Sequence, residues 1–267
     1  MESSQAPKII FIVPYRDRVE HKHFFQRQIK YLMEDYERKH YEVYFVHQKD
    51  IRSFNRGAMK NIGFLAIREK YPEHYKNITF VFHDVDTLPY KKGLLPYETQ
   101  HGTVKHFYGF EFALGGIFSI TGQDFENIGG FPNFWAWGGE DNVIQKRVLQ
   151  KKLHIDRSVF FKIGNRNILQ FADGFMKLIN RDELATIEQD DSYEYYNTIK
   201  DLKYKFNNEY IDVYKFNTRA KYADARRNFE SHNITKSSNR IRLKKKRKTS
   251  RNTLSGAQNL KKLMIMD

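Results

Sequence analysis

Two aspartates separated by a single residue follow an apolar run in the first third of the chain. Residues 78–82 have the β-branched and aromatic character of a buried strand, and His83-Asp84-Val85-Asp86 comes directly after them. Because residues i and i+2 point the same way in an extended chain, both carboxylates can face one hard cation. Oxygen ligands suit Mn²⁺ or Mg²⁺, and such a metal can neutralise a diphosphate. A solvated pair of acids in a turn is the alternative, because Asp-X-Asp is a common tripeptide.

Arginines follow another apolar run and precede a helical pattern. Arg16 and Arg18 come after residues 9–13, and Arg56 follows Phe54 at the start of a predicted helix. The guanidinium fork matches phosphate oxygens, and the Phe54 ring can stack on a base. Surface salt bridges are the alternative role for these arginines.

Both tryptophans of the chain stand in one short segment together with glycines and acids. The segment reads Phe134-Trp135-Ala136-Trp137-Gly138-Gly139-Glu140-Asp141-Asn142. Acids at a helix N-terminus can simply be partners of the helix dipole, but that role leaves the two tryptophans unexplained. Indole faces stack on sugars and carboxylates bind hydroxyl groups, so the segment indicates an acceptor site. One acid could serve as a general base.

The elements that must position these residues follow from periodicity. Strands are predicted at 9–13, ending at Pro14, at 41–47 and at 78–82, and helix faces are predicted from Phe25, Ile29, Leu32 and Tyr36 and from Met59, Ile62 and Ala66. This β-α-β-α-β order favours a parallel sheet with right-handed crossovers. Ligands bind beyond the carboxyl ends of such strands, so residues 14–18 and 84–86 should converge at one edge.

Shorter patterns predict the remainder of the fold. Residues 93–112 predict loops, 117–120 a strand after Gly115-Gly116, 123–128 a short helix, 141–149 a helix and 204–216 a terminal hairpin. We expect one catalytic domain over residues 1–235 and a disordered tail over residues 236–267.

The net charge of +14 is concentrated in the predicted tail. Residues 236–267 contain eleven Lys or Arg and one acid, which gives +10 and leaves +4 for the other 235 residues. Such a tail could bind phosphates without reading sequence, or contact an anionic membrane surface. Recognition of nucleic acid is not expected, because no base-reading motif accompanies the charge.

The absence of cysteine from the 267 residues excludes disulfides, thiolate metal sites and a Cys nucleophile. Apolar runs are too short for a signal peptide or for the ~18 to 20 residues that span a bilayer. These features predict a soluble, cytoplasmic protein. The sequence does not indicate an oligomeric state.

Taken in order, these motifs resemble the β-1,4-galactosyltransferase family, which are inverting enzymes of the GT-A fold. The matching segments are 11–18, 54–57, 82–86, Gly115-Gly116, 129–133 and 135–141. The resemblance implies an α/β domain with a Rossmann-like mixed sheet flanked by helices. It also implies a UDP-sugar donor, a carbohydrate acceptor and Mn²⁺ (or Mg²⁺).

The resemblance further implies roles for individual residues. The implied donor site contains Pro14, Tyr15, Arg16, Arg18, Phe54, Arg56, Asp84, Val85, Asp86, Gly116 and Trp137. Asp84 and Asp86 would form the metal site, with Asp86 the direct ligand. Glu140 would contact the transferred sugar, and Asp141 would be the catalytic base. The implied acceptor site contains Trp137, which would close over both substrates, together with Gly138, Asp141 and Asn142.

Three positions depart from the family pattern. Asn142 and Val143 follow Asp141 where further acids are usual, which leaves the acceptor open. Ala113 stands where an aromatic residue is common, so galactose and N-acetylgalactosamine both remain candidate donors. Phe171 and Ile168 stand where a His and a Met ligand are expected.

The sequence therefore predicts an inverting glycosyltransferase. A non-catalytic module that binds carbohydrate or nucleic acid is the alternative.

Overall fold

A mixed β-sheet with helices on both faces organises the computed structural model, which describes residues 6–172, 174–189 and 194–233. Its strands are β1 Ile9–Tyr15, β2 Tyr41–Gln48, β3 Thr79–His83, β4 Thr87–Pro89, β5 Thr103–Gly109, β6 Ile117–Thr121, β7 His154–Asp156, β8 Phe161–Lys162, β9 Ile168–Gln170, β10 Met176–Asn180, β11 Lys200–Asn207, β12 Tyr210–Asn217 and β13 Phe229–Asn233. Its α-helices are α1 Val19–Leu32, α2 Arg56–Lys70, α3 Gly122–Asn127, α4 Glu140–Gln150, α5 Arg181–Gln189 and α6 Tyr222–Arg227.

The main sheet has nine strands in the order β11-β12-β2-β1-β3-β6-β5-β7, with β8 paired to β5. Strand β1 is parallel to both β2 and β3, and β12 is parallel to β2. Strand β6 is antiparallel to β3 and to β5, which makes the sheet mixed. Two small sheets pair β10 with β13 and β4 with β9. The first three strands therefore end at one edge of the sheet, as parallel strands must.

Apolar residues on both faces of β1 explain why it lies inside the sheet. Ile10 and Ile12 join the core cluster that includes the buried side of α2, while Ile9, Phe11 and Val13 join the cluster that includes α1. A strand buried on both faces reads as a continuous apolar run. The sheet is therefore covered by a helix layer on each face.

Helix α2 packs against the sheet at Gly63. A Cβ at this position would lie 2.6 Å from Cγ2 of Ile12 and 2.9 Å from Cγ2 of Val46, so only glycine permits this approach. The helix begins after Asn55, whose side chain accepts a hydrogen bond from the Ala58 amide at 2.9 Å. This cap and this contact fix the end of α2 that reaches the strand edge.

The strand and helix order predicted for the first 86 residues is confirmed, with two corrections. Strand β1 does not end at Pro14 but continues through Tyr15. Its pairing with β3 ends at Ile12, whereas Pro14 still pairs with β2. Proline lacks an amide donor, and one missing partner strand makes that loss tolerable. Helix α1 ends at Leu32, so Tyr36 lies outside it.

The prediction of loops over residues 93–112 is wrong, because β5 lies within them. The polar Lys105 and His106 hide the strand pattern, yet His106 is fully buried. Its Nε2 lies 3.1 Å from the Tyr108 carbonyl oxygen and 3.2 Å from that of Gly115. These contacts satisfy the buried imidazole inside the sheet.

The predicted hairpin at 204–216 is confirmed, and β12 also extends the main sheet beside β2. Strands β4, β7 to β10 and β13, with helices α5 and α6, were not predicted. The basic tail, residues 236–267, lies outside the described residues, so its contacts with phosphates or membranes stay predictions. The domain limit at residue 235 likewise stays a prediction. Within the described residues, none of the helices is long and apolar enough to cross a bilayer.

Candidate active site

A cavity of about 830 Å³ opens beyond the ends of β1 and β3. Eleven of the predicted site residues line it: Pro14, Arg16, Arg18, Phe54, Arg56, Asp84, Val85, Asp86, Gly116, Trp137 and Asp141. The predicted convergence of residues 14–18 and 84–86 is therefore observed. Ala113, the position considered for donor choice, also lines the cavity.

Four predicted residues do not line this cavity: Tyr15, Gly138, Glu140 and Asn142. The Tyr15 ring is buried and packs edge-on against Phe45 and His47. Glu140 is buried behind the cavity wall. Asn142 donates from Nδ2 to the Phe112 carbonyl oxygen at 3.2 Å. Donor or acceptor contacts by these residues stay predictions.

A cluster of five charged side chains lies at one wall of the cavity, where Arg56, Asp84 and Asp141 line the cavity and the buried Lys60 and Glu140 lie behind them. Arg56 Nη2 donates to Asp84 Oδ1 at 2.7 Å, and Arg56 Nη1 lies 3.2 Å from Glu140 Oε1. Lys60 Nζ donates to Asp141 Oδ1 at 3.0 Å. Both cations come from α2 and two of the acids come from the first turn of α4. The guanidinium expected to reach a nucleotide is thus engaged by two carboxylates of the chain itself.

The two acids that share Arg56 are pushed in opposite directions. Burial acts to raise the pKa of Asp84, but the charges of Arg56 and Lys60 outweigh it and hold that pKa below the usual range. Burial raises the pKa of Glu140, and the charge of Asp141 raises it further against Arg56. Glu140 Oε1 accepts no hydrogen bond in good geometry, whereas Asp84 Oδ1 accepts one from Arg56 Nη2. Arg56 therefore supports mainly the ionised form of Asp84.

The Asp141 carboxylate is confined between α2 and the Gly115-Gly116 segment. The Asp141 carbonyl oxygen accepts a hydrogen bond from the Leu114 amide at 2.9 Å. A Cβ on Gly115 would lie only 2.7 Å from Asp141 Oδ2, so glycine is required for the carboxylate to occupy this place. Oδ1 faces Lys60 and Oδ2 faces Gly115, which lines the cavity. The carboxylate is thus positioned to receive a proton from a ligand in the cavity.

The two tryptophans have different environments. Trp135 is 1% exposed, its ring stacks on Phe216, and its Nε1 donates to Thr218 Oγ1 at 2.8 Å. Trp137 is half-buried at the cavity, and its amide donates to the Leu178 carbonyl oxygen at 2.7 Å. Trp137 therefore offers its ring to a ligand, while Trp135 mainly anchors the segment in the core.

The donor set around Asp86 fits a divalent cation shared with a substrate. Asp84 pairs with Arg56, and Asp86 lines the cavity two residues further along the chain. Among the described residues, no group of three or more His, Asp or Glu side chains could hold a metal ion. Phe171 packs with His21 and Phe24, in agreement with the absence of a His ligand at that position. Carboxylate oxygen with substrate phosphates suits Mn²⁺ or Mg²⁺, whereas a closed protein cage is not present in this part of the chain.

Two models of protein families match the chain. Residues 2–96 match the N-terminal region of glycosyl transferase group 7, and residues 101–170 match a model described as the N-terminal domain of galactosyltransferase. Together the matched segments span more than half of the chain. The chain belongs to the group 7 galactosyltransferase family. The resemblance based on short motifs is thus confirmed.

Curated relatives of this family are β-1,4-galactosyltransferases. The chain is 30% identical over 174 residues to β-1,4-galactosyltransferase 4 of Mus musculus, which covers 58% of this chain and 46% of the relative. It is 26% identical over 220 residues to β-1,4-galactosyltransferase 5 of Mus musculus, which covers 78% of this chain and 54% of the relative. The chain therefore spans about half the length of the curated relatives it matches.

A solved structure of the family shares the fold. A Drosophila β-1,4-galactosyltransferase 7 mutant, crystallised with manganese, UDP-Gal and xylobiose, superposes with a TM-score of 0.64 at 18% sequence identity. The alignment covers 83% of this chain and 98% of that one. The predicted GT-A type α/β fold is therefore confirmed.

Sequence patterns missed two side chains near this galactosyltransferase-family site, the buried Lys60 and the half-buried Glu183. Lys60 shares a helix face with Phe64 and Ile67, and a lysine on an apolar stripe is a signal that could have been noticed. Glu183, at the start of α5, accepts hydrogen bonds from the Trp135 amide at 3.1 and 3.3 Å. Nothing in the sequence near Glu183 indicates this long-range contact.

Proposed function

We propose that this chain is an inverting glycosyltransferase that moves galactose or N-acetylgalactosamine from a UDP-sugar to a hydroxyl group of a carbohydrate acceptor. The observation that carries the proposal is one cavity that brings together Arg16, Arg18, Asp86, Trp137 and Asp141. In this set the two arginines donate hydrogen bonds to phosphate oxygens, Asp86 is a metal ligand, Trp137 is a surface on which a sugar can stack, and Asp141 is a base. The relatives named as β-1,4-galactosyltransferases support this assignment.

The donor side of the cavity is basic and aromatic. Arg16 and Arg18 are placed after β1, where they can bind the oxygens of a diphosphate. Phe54 lines the same region and offers a ring to the base. Arg56 has a modified role in this proposal, because it pairs with Asp84 and Glu140. It keeps the Asp84 carboxylate ionised and ordered beside the donor.

Asp86 would hold Mn²⁺ or Mg²⁺ against the donor diphosphate, where the cation would neutralise charge on the leaving group. The solved relative with manganese and UDP-Gal supports this choice of metal and nucleotide. Asp84, which also lines the cavity, stays paired with Arg56. The chain thus contributes one carboxylate directly and orients the next one.

Asp141 is the general base of the proposed reaction. Its carboxylate takes the proton of the acceptor hydroxyl group as that oxygen forms a bond to the anomeric carbon. The bond from the anomeric carbon to the diphosphate oxygen breaks, and its electron pair leaves with UDP. Attack from the face opposite the leaving group inverts the configuration. The Trp137 ring covers the acceptor sugar and excludes water.

Ala113 supports two donor candidates. Its side chain is small and buried at the cavity wall, next to the loop that ends at Gly116. A small residue leaves space for the acetamido group of N-acetylgalactosamine, while galactose fits the names of the relatives. The choice between the two donors is an outcome of the experiment below.

The test is a screen of UDP-galactose, UDP-N-acetylgalactosamine, UDP-glucose and UDP-N-acetylglucosamine, each with Mn²⁺, Mg²⁺ or a chelator. We expect UDP release with one of the first two donors, dependent on the cation. D141N should lower transfer by on the order of 10²-fold or more while UDP affinity is retained, because a general base contributes about 10²–10⁴-fold. Full transfer by D141N would reject the base. Saturable sugar binding without turnover of any donor would support the alternative, a non-catalytic binding module.

A further inference from the structure

Lys60 is a charged side chain buried in the middle of α2. The residue is 1% exposed, and its Nζ lies 4.5 Å from the centre of the Phe131 ring. Its ammonium donates to Asp141 Oδ1 at 3.0 Å. Burying an unpaired ammonium is very costly, so the contact with a carboxylate is what makes this position tolerable. The pair links the core of α2 directly to the proposed base.

The surroundings of Asp141 make Lys60 its direct cationic partner. The charged and titratable groups that face this carboxylate are Lys60 and Arg56 from α2, Glu140 from α4 and His106 from β5. Arg56 is engaged by Asp84 and Glu140. Burial and the nearby Arg157 lower the pKa of His106 to about 4, so this imidazole is neutral at pH 7.

We propose that Lys60 is a positioning residue that fixes the orientation of the Asp141 carboxylate. The inference rests on the proposed function, in which Asp141 is the base. With Oδ1 held by the ammonium, Oδ2 stays on the Gly115 side of the carboxylate, toward the cavity.

The first experiment compares K60M, which has similar length without charge, with K60R, which keeps the charge. The control is K70M, because Lys70 is on the same helix and binds Glu42 at 3.0 Å, and Glu42 does not line the cavity. In K60M we expect kcat to fall by about 10- to 100-fold and UDP affinity to stay within about threefold. K60R, which keeps a cation beside Asp141 Oδ1, should recover most of this loss of kcat.

K70M should keep the kcat of the wild type. An unchanged kcat in K60M, an equal loss of kcat in K60R, or a loss of UDP affinity as large as the loss of kcat would overturn the assignment, because a lysine that only stabilises the fold would not lower kcat selectively. If the wild type transfers no sugar from any donor, the proposed function fails. The second experiment then decides the role of Lys60 without turnover.

That second experiment is a cycle of melting temperatures for K60M, D141N and the double variant. K60M leaves the half-buried Asp141 without its cation and D141N leaves the buried Lys60 without its anion, whereas the double change removes both charges. The double variant should therefore melt at least about 3 °C above the less stable single variant. If the decreases in melting temperature of the two single variants simply added in the double variant, the proposed pairing would be overturned, even if all variants fold.

Discussion

Gly115→Ala tests the placement of the proposed base without altering any charge. The backbone of Gly115 does not have a positive φ, so alanine can adopt its conformation. The added Cβ would lie 2.7 Å from Asp141 Oδ2 and 3.1 Å from Asp141 Cγ. Because Asp141 Oδ1 is held by Lys60 on the other side, the carboxylate must turn or shift as a unit.

The size of the effect follows from the contact distance. An ordinary contact of a Cβ begins near 3.4 Å, so the carboxylate must retreat by about 0.7 Å. A misplacement of about 1 Å in a catalytic geometry can cost ~100-fold in rate. We therefore expect kcat for transfer to fall by roughly 10- to 100-fold. UDP affinity should change by less than about threefold, because Asp141 acts on the acceptor in this proposal.

The assay measures transfer to a saturating acceptor and, separately, UDP binding by calorimetry. Gly102→Ala is the control, because it also replaces a glycine but has no heavy atom within 4 Å of its added Cβ. Its positive φ of 87° makes it lose stability, while kcat per folded molecule should stay unchanged. If Gly115→Ala kept the kcat of the wild type, the carboxylate would not need its observed place, and its role as base would be refuted.

Two further predictions concern the metal and the pH dependence. Binding of Mn²⁺, measured by electron paramagnetic resonance, should tighten by at least about tenfold when UDP is present. D86A should abolish this gain in Mn²⁺ affinity. Tight binding of Mn²⁺ without UDP would contradict a site shared with phosphate. Burial raises the pKa of Glu183 to about 7, so its contribution to stability is present at low pH and is lost as pH rises through about 7. The loss should be roughly 3 kcal/mol. Between pH 5 and 8, the melting temperature of E183Q should decrease less than that of the wild type. Parallel plots of melting temperature against pH for the two proteins would refute this prediction.

Local patterns were sufficient to predict the strand edge of the site. Arg16, Arg18 and Asp86 stand directly after apolar runs, and a parallel sheet brings the ends of such runs to the same edge. The burial of those runs on both faces made them recognisable without tertiary information. The same reasoning placed Arg56 and Asp141 at helix beginnings, where they are observed.

Contacts that join distant parts of the sequence were not predicted. Tyr15 is the last residue of β1, and alternation turns its ring into the core beside Phe45, away from the cavity. The engagement of Arg56 with Glu140 joins residues 84 positions apart in the sequence. Glu183 contacts the backbone of Trp135 from another helix. Periodicity reports the face of an element and cannot report which element packs against it.

The relative placement of α2 and α4 is what organises the charges of the site. Arg56 and Lys60 are four residues apart, so they project from one face of α2 toward the beginning of α4. There Glu140 and Asp141 are adjacent, and each pairs with a different cation.

Asn55, which caps α2, and Asn61, which lies within α2, hold this arrangement together. Asn55 Nδ2 donates to the Asn133 carbonyl oxygen at 3.1 Å, and Asn61 Nδ2 donates to the Phe131 carbonyl oxygen at 2.8 Å. These bonds join α2 to the segment that leads into Trp137 and α4. In the proposed function, the sheet edge determines where the donor binds, while the contacts between the two helices determine where the proposed base lies. A variant of the donor edge and a variant of α2 should therefore affect different kinetic constants, since they act on separate structural units.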